Sequence, residues 1–199
     1  MTKTKSEYEE KRDFSKTKEP QGGTVKGNPD NPSFVIQKHD ATNLHYDFRL
    51  EIDGVLKSWA VPKGPSIDPS VKRMAIPTED HPLEYGNFEG TIPEGEYGGG
   101  TVMIWDTGTF KNLKKTKDDK EISLTESYKM GTLEFWLQGK KLQGGYALIK
   151  MKKGPMKDNW LLIKMNDSEA NSRQEPASTQ NNSAVTGRTM AQIAKEEGE

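Results

Sequence analysis

Three histidines occur in the chain, and two of them lie near one carboxylate in the sequence. His45 and Asp47 are two residues apart, so on a β-strand both side chains point to the same face. His39 ends the preceding segment and can reach the same point if the two segments pair as neighbouring strands. Two imidazoles and one carboxylate form an open, three-ligand site for a divalent metal ion, and these ligand types suit manganese, zinc or iron.

An arginine on the same strand face indicates the group on which such a metal would act. Arg49 follows Asp47 by two residues, and a guanidinium beside an open metal can share the anionic oxygens of a phosphate with it. For His45 and Asp47 alone, a solvated polar strand face is the competing interpretation. His81, in Glu79-Asp80-His81-Pro82, follows a predicted strand and by itself is more typical of a loop histidine than of a catalyst.

The elements that must position these side chains have the period of β-strands. Residues 44–52 alternate strictly between apolar and polar side chains, which is typical of a half-buried strand. Asp53-Gly54 then predicts a hairpin into a second strand at 55–61. Further strands are predicted at 34–38, 71–76, 101–106, 132–138, 145–151 and 159–165. Short strands separated by Gly and Pro turns favour an antiparallel barrel or sandwich, and closure of the sheet would remove exposed edges.

The apolar residues are concentrated in the middle of the 199-residue chain, where all four tryptophans lie between Phe34 and Trp160. We therefore predict one folded domain at 33–165. Residues 1–32 are expected to form a polar, partly disordered N-terminal arm, because such a segment has too little apolar surface to offset its ordering entropy. For the same reason residues 166–199 are expected to form a disordered tail, with a short helix at 184–195.

Composition excludes several classes of protein. Without cysteine the chain has no disulfide framework, thiolate metal site or cysteine nucleophile. Its apolar runs are far shorter than the roughly 20 residues of a membrane-spanning helix, and the N-terminus lacks the apolar segment of a signal peptide. A soluble cytoplasmic protein with no membrane partner is expected. The net charge of −1 argues against a uniformly basic nucleic-acid binder but leaves local basic patches open.

A glycine-rich stretch and two lysine groups remain. The stretch GTIPEGEYGGG (90–100) is not a phosphate-binding P-loop, because it lacks G-K-[ST] and leads into a strand. Its glycines are predicted to form turns or to allow close approach of the backbone. The lysines within 111–120 and 150–157 are interpreted as solvated faces or, together, as contacts to a phosphate backbone.

Three long segments resemble the 3′-phosphoesterase module of bacterial DNA ligase D, the multidomain enzyme of nonhomologous end joining. They are FVIQKHDATNLHYDFRLEIDGVLKSWAVPKGP (34–65), EDHPLEYGNFEGTIPEGEYGGGTVMIWDTGTF (79–110) and GTLEFWLQGKKLQGGYALIKM (131–151). The resemblance continues through WLLIK (160–164) and VTGRTMAQIA (185–194). It implies a mostly β fold, a compact antiparallel β-barrel of about eight strands with little flanking helix.

The resemblance also implies an activity, manganese-dependent trimming of DNA 3′ ends. A phosphodiesterase step removes a terminal ribonucleoside and leaves a 3′-phosphate, and a phosphomonoesterase step then yields a 3′-hydroxyl. The expected substrates are primer-template 3′ ends that carry a terminal ribonucleotide or a 3′-phosphate. A ligase, a polymerase and a Ku-like end-binding protein are the partners expected in trans.

The family's functional positions transfer to this sequence residue by residue. The implied metal ligands are His39, His45 and Asp47. The implied catalytic residues are Arg49, at the scissile phosphate, His81, as a transition-state stabiliser or acid, and Tyr85, beside the phosphate. The residues implied to support the phosphate, either by direct contact or through the residues around it, are Gln37, Lys63 and Arg73, together with Arg12, Asp13 and Glu19 from the arm.

Two other functions compete with this hypothesis. Two histidines and one carboxylate are also the ligand set of non-haem iron oxygenases, in which Arg49 would bind an oxo-acid cosubstrate. A module that binds nucleic-acid ends without catalysis is the other alternative. Release of phosphate without oxygen consumption would exclude the oxygenase, and metal-dependent product formation would exclude the silent module.

Overall fold

A computed structural model describes residues 6–23 and 25–197 of the chain. Its strands are β1 (Ser33–Asp40), β2 (Leu44–Ile52), β3 (Val55–Val61), β4 (Lys72–Pro77), β5 (Gly90–Ile92), β6 (Gly100–Asn112), β7 (Thr132–Gly139), β8 (Gln143–Lys150) and β9 (Trp160–Lys164). Its helices are α1 (Glu7–Glu10), α2 (Leu124–Met130), α3 (Pro176–Thr179), α4 (Met190–Glu197) and a 3-10 helix at Leu83–Asn87. Residues 1–5, 24, 198 and 199 of the predicted arm and tail lie outside the described residues.

Eight of these strands form a closed antiparallel ring in the order β1-β2-β3-β4-β9-β8-β7-β6, and the pairing of β6 with β1 closes it. The short strand β5 lies outside the ring, against the N-terminal end of β6. The predicted mostly β fold, an antiparallel barrel of about eight strands with little helix, is confirmed. Of the helices in the described residues, none combines the length and the apolar character that a bilayer-spanning segment requires.

The hairpin between β2 and β3 follows from its turn residues. Asp53 and Gly54 have φ values of 55° and 75°, and a two-residue turn with positive φ at both positions matches the twist of the flanking strands. This turn sets the register that pairs Ile52 with Val55 and Arg49 with Ser58. The predicted hairpin is therefore confirmed, and it fixes which side chains of β3 stand beside the polar face of β2.

The two faces of β2 pack against two different apolar clusters. The inward residues, among them Phe48 and Leu50, lie in the main core inside the barrel. A second cluster that includes Tyr8, Leu56 and Tyr85 lies on the outer side of β1, β2 and β3. It covers the polar face of β2, so the interpretation of that face as solvated surface is wrong.

The structure differs from the expectation of a polar, partly disordered arm, because the described part of residues 1–32 packs on the barrel. Tyr8 is buried and donates a hydrogen bond from its hydroxyl to the Pro20 carbonyl over 2.8 Å. The buried carboxylate of Glu51 accepts hydrogen bonds from the backbone of Asn28 and Ser33, which ties the end of the arm to β2.

The structure also differs from the expectation of a disordered tail at 166–199. The Ala177 carbonyl accepts a hydrogen bond from the Tyr46 hydroxyl, and the Gln180 carbonyl accepts one from Trp105 Nε1. Ile193 of α4 is fully buried in the main core. A short helix does form near its predicted position of 184–195, at Met190–Glu197. The division at 33 and 165 into arm, domain and tail stays a prediction.

Candidate metal centre

The pairing of β1 with β2 brings the three predicted metal ligands together. In this register His39 lies opposite His45, and Gln37 lies opposite Asp47. His39 Nδ1 is 3.6 Å from one carboxylate oxygen of Asp47, and His45 Nε2 is 3.6 Å from the other. One ligand atom from each residue lies within 4.8 Å of the other two. A single ion can therefore be reached by all three side chains.

The backbone orients both imidazoles. His39 Nε2 lies 2.9 Å from the Gly98 carbonyl, and His45 Nδ1 lies 2.8 Å from the Asn43 carbonyl. When these nitrogens donate to the carbonyls, His39 Nδ1 and His45 Nε2 keep their lone pairs and face Asp47. Metal-binding histidines in proteins are held in the same way by a partner on the second ring nitrogen.

The charge state of Asp47 also suits a cation. Burial alone would raise the pKa of its carboxyl group, but the Arg49 guanidinium and the His39 and His45 rings hold that pKa well below its ordinary value. The carboxylate is therefore ionised at neutral pH. Two neutral imidazoles and one carboxylate leave a divalent ion with net positive charge and open coordination positions, so the donor set fits a catalytic transition-metal ion.

Arg49 is buried beside this cluster and is held on several sides. Its Nε donates to Gln37 Oε1 over 2.7 Å, Nη1 donates to Ser58 Oγ over 2.9 Å, and Nη2 donates to Asp47 Oδ2 over 3.0 Å. Gln37 is fixed in turn, because its Nε2 donates to the Tyr85 and Phe88 carbonyls. The guanidinium is thus oriented before any substrate arrives.

His81 lies on the other side of Arg49. Its Nδ1 is 3.0 Å from Arg49 Nη1 and 2.9 Å from the Glu79 carbonyl. Burial and the nearby Arg49 and Arg12 cations lower the pKa of His81 well below its ordinary value, so the ring is neutral at pH 7. A phosphate anion placed between these cations would reverse part of that effect and favour protonation.

The arm adds a second arginine to the site. Arg12 donates to Glu19 over 2.9 Å and to Glu79 over 3.2 Å, and all three side chains are at most 4% exposed. Arg12 Nη2 is 3.5 Å from His81 Nε2. Burial would raise the pKa of the Glu79 carboxyl, but its own backbone N–H, Arg12 and Lys11 lower it overall. The arm is therefore attached to the site through buried ion pairs.

Most of these side chains line one cavity of about 270 Å³. It includes the three candidate ligands, Arg49, Arg12, His81 and Tyr85. Tyr85 is buried, its ring lies 4.6 Å from that of His81, and burial raises the pKa of its hydroxyl well above the ordinary value. Gln37 and Glu19 lie behind the cavity wall as partners of the two arginines.

Three predicted site residues lie outside this cavity. Lys63 is exposed after the end of β3. Arg73, on β4, forms an ion pair with Glu175 of the C-terminal segment. Asp13 is exposed and accepts hydrogen bonds from Ser15. The structure does not bring Lys63, Arg73 or Asp13 to the three candidate metal ligands.

Three residues that the sequence did not identify do contact the site. Glu79 pairs with Arg12, Ser58 binds Arg49, and Tyr97 donates from its hydroxyl to Glu79 Oε2 over 3.2 Å. The sequence did offer a signal for Glu79, because it lies two residues before His81 in an extended segment, where both side chains point to the same side. Ser58 could have been found from the hairpin register. Nothing local marks Tyr97.

The fold and the site together define a class of protein, a closed β-barrel that carries a candidate mononuclear metal centre beside buried cations suited to an anionic group. The sequence profile of the DNA Ligase D 3′-phosphoesterase domain matches residues 37–150. The chain therefore belongs to the DNA ligase D 3′-phosphoesterase domain family.

Several longer proteins contain a region similar to this chain. The multifunctional non-homologous end joining protein LigD of Pseudomonas aeruginosa is 48% identical over 172 residues, which is 86% of this chain and 20% of that protein. The multifunctional non-homologous end joining DNA repair protein LigD of Mycobacterium tuberculosis H37Rv is 46% identical over 162 residues, or 81% and 20%. The LigD protein of Mycolicibacterium smegmatis is 44% identical over 168 residues, or 84% and 21%. The chain thus spans about a fifth of the length of these relatives.

Proposed function

We propose that this chain is a divalent-metal-dependent phosphoesterase that trims DNA 3′ ends, with manganese as the physiological cofactor. In the first step water cleaves the bond between phosphorus and the 5′-oxygen of a terminal ribonucleoside, which releases the nucleoside and leaves a 3′-phosphate. In the second step water removes that phosphate and leaves a 3′-hydroxyl. The observation that carries the proposal is one cavity that joins a three-ligand metal cluster to Arg49, Arg12 and His81.

His39, His45 and Asp47 would hold the metal ion. When bound there, a divalent ion polarises a phosphoryl oxygen and lowers the pKa of a water molecule. The other two classes of function have less support. Membership of a phosphoesterase family disfavours the oxygenase. The burial of His39 and Asp47 and the orientation of both imidazole rings disfavour a site without catalytic use.

Arg49 would bind the scissile phosphate. Its protein contacts engage at most four of its five N–H groups, so one N–H of Nη2 remains for a phosphate oxygen. Because Gln37 and Ser58 fix the guanidinium, little reorganisation is needed as negative charge builds up on the phosphate. Donors that are oriented in advance typically contribute about 10²–10³-fold to the rate.

His81 would act at the leaving group. The ring is neutral in the free protein, and a bound phosphate offsets the Arg49 and Arg12 charges that depress its pKa. Its protonated form can then give a proton to the departing 5′-oxygen of the nucleoside. Tyr85 would pack beside the phosphate. Lys63, Arg73 and Asp13 would contact the nucleic acid outside the cavity.

The proposal extends to partners. A ligase, a polymerase and a Ku-like end-binding protein would use or present the same ends, as separate proteins or as linked domains. The names of the LigD relatives, which refer to non-homologous end joining, support this role.

The test uses a labelled primer-template that ends in one ribonucleotide, incubated with manganese, magnesium or a chelator. Gel electrophoresis separates the starting strand, the 3′-phosphate and the 3′-hydroxyl products. We expect stepwise conversion with manganese and none with chelator. If the folded protein converts nothing with any divalent metal, the proposed activity is wrong and the end-binding module becomes the better account.

A further inference from the structure

Tyr97 is an exposed aromatic residue at the mouth of the catalytic cavity. It lines the cavity together with His39 and Gly98, yet 47% of its surface is exposed. Among the exposed large hydrophobic residues that the structure describes, it is the one aromatic. Exposure of an aromatic ring beside a substrate cavity costs solvation free energy, and a ligand that covers the ring would recover it.

The position of this ring is well defined. Two consecutive turns surround it, closed by hydrogen bonds from Glu96 N to the Pro93 carbonyl and from Gly99 N to the Glu96 carbonyl. Gly98 has a φ of +78°, which favours glycine, and its carbonyl is the partner of His39 Nε2. The tyrosine is therefore one residue away from a group that orients a candidate metal ligand.

Charged neighbours anchor the ring on its inner side. The Tyr97 hydroxyl donates to Glu79, Lys11 Nζ lies 4.9 Å from the ring centroid, and Arg12 Cζ lies 5.4 Å from it. These contacts hold the ring between the arm and the cavity. Nearly half of the Tyr97 surface stays exposed despite these contacts, so a ligand that extends out of the cavity can contact it.

The size of the cavity indicates what extends from it. About 270 Å³ is below the roughly 300–1,000 Å³ of pockets that enclose a drug-sized molecule. With the phosphate bound at the metal ligands and Arg49, the nucleoside attached to it would extend toward the exposed Tyr97, which lines the same cavity. Aromatic side chains that bind single nucleotides stack on the faces of their bases, largely without regard to sequence.

We propose that Tyr97 stacks on the base of the 3′-terminal ribonucleoside, the group that leaves in the phosphodiester step. This inference rests on the proposed function. Stacking by Tyr97 would affect only the phosphodiester step, because a 3′-phosphate end has no nucleoside beyond the reacting phosphate. Tyr97 thereby favours the diester substrate over the monoester substrate through binding, and it does so with little preference among bases.

The test compares the two steps in the wild type and in Tyr97→Ala, with the same primer-template ending in a ribonucleotide or in a 3′-phosphate. We expect the substitution to raise KM for the ribonucleotide end about tenfold more than for the 3′-phosphate end, since one stacked base contributes on that order. Tyr97→Phe keeps the ring and should keep the wild-type ratio of the two KM values. An equal change of KM for both substrates would overturn the proposal.

A third substrate isolates the stacking contact. It ends in an abasic ribonucleotide, so the sugar and phosphate are unchanged. Removal of the base should weaken the wild type about tenfold and leave Tyr97→Ala unaffected, whereas equal losses in both proteins would contradict stacking. If Tyr97→Ala does not fold, as judged by circular dichroism, Tyr97→Leu takes its place.

Failure of the proposed function is recognised separately. Turnover of both ends by the wild type is measured first, and its absence would refute the enzymatic proposal regardless of Tyr97. In that event the same three ends are compared by fluorescence anisotropy. A selective loss of affinity of Tyr97→Ala for the base-bearing ribonucleotide end would still support stacking, and equal affinities for all ends would overturn it.

Discussion

Replacement of Arg49 by lysine removes the planar guanidinium and keeps its charge. In the structure three different nitrogens of Arg49 donate to Gln37, Ser58 and Asp47, at 2.7, 2.9 and 3.0 Å. A lysine ammonium presents all its N–H groups from one point on a flexible chain, so it cannot reach these three acceptors together. Arg49→Lys therefore separates the geometric contribution of this residue from its charge.

The expected loss follows from the acceptors left behind. Gln37 Oε1 is buried and would lose its donor, which costs about 1–3 kcal/mol for an unsatisfied buried group. Ser58 would keep its hydrogen bond to the Leu56 carbonyl and lose only the arginine contact. With the ammonium placed near Asp47, we expect Arg49→Lys to lower the free energy of unfolding by about 2–4 kcal/mol.

The same change should lower catalysis more than metal binding. A misplaced donor at the phosphate typically reduces kcat by about 10²-fold, whereas the three metal ligands keep their positions. The assays are urea denaturation, manganese binding by isothermal titration calorimetry, and kcat on the 3′-phosphate end at saturating manganese. Arg188→Lys is the matched control: Arg188 pairs with Glu89, Glu196 and Glu197 away from the cavity. The buried Glu89 carboxylate keeps its hydrogen bonds from Ile104 N and Thr186 in this variant, so its stability should change by about 1 kcal/mol or less.

A particular result would refute this reasoning. If Arg49→Lys retained kcat within twofold and unfolded at the same urea concentration as Arg188→Lys, the planar arrangement of the Arg49 N–H donors would have no role. A loss of manganese binding equal to the loss of kcat would instead assign Arg49 to the metal centre.

Three further predictions follow from the site and the packing. Alanine at His39, His45 or Asp47 should abolish both hydrolytic steps and manganese binding, measured by gel assay and calorimetry; full activity in any of these variants would contradict the ligand assignment. Ile193→Ala should lower the urea-derived free energy of unfolding by about 2–4 kcal/mol, because the side chain is fully buried, and a loss below about 0.5 kcal/mol would show that α4 is not docked. Burial and two arginines lower the pKa of His81 in the folded state, so the unfolded state takes up the proton first, and stability should fall as the pH drops below about 6.5. In chelator, between pH 7.5 and 5.5, the wild type should lose up to about 1.4 kcal/mol per pH unit more than His81→Gln, and equal slopes would contradict a depressed pKa.

The strands that carry the metal ligands were predictable from sequence because their signals are local. Strict alternation over 44–52 defines β2, and Asp53-Gly54 defines its turn. The pairing of β1 with β2 followed from their short separation, and it places His39 opposite His45. A set of candidate metal ligands on neighbouring strands can therefore be predicted from little more than the alternation of apolar and polar residues along the chain.

The arm and the tail were harder to predict because their order depends on distant partners. Both segments are polar on average, which favours disorder. Single residues fix them instead, since Tyr8 packs in the outer cluster and Ile193 in the barrel core. Composition averages over a segment and does not register one well-placed apolar side chain.

The far side of the site was also beyond prediction from sequence pattern. Its wall is built by the segment from Glu79 to Tyr85 and by the loop at Tyr97, which have no regular period. The strand β5 was missed because a three-residue segment that begins with glycine and is followed by proline carries no strand signal. The resemblance implied that Lys63 and Arg73 support the phosphate directly or from behind it; in the structure both lie outside the cavity, and their role stays a prediction.

Restoration of activity by manganese tests the central proposal most directly. Protein treated with chelator and then dialysed is mixed with a primer-template that bears a 3′-phosphate, and released inorganic phosphate is followed as manganese is added back. The proposal predicts no release before the addition, saturable release after it in the wild type, and none in Asp47→Ala at any manganese concentration. Release of phosphate at the wild-type rate in chelator, or by Asp47→Ala with manganese, would contradict a metal-dependent phosphoesterase centred on this cluster.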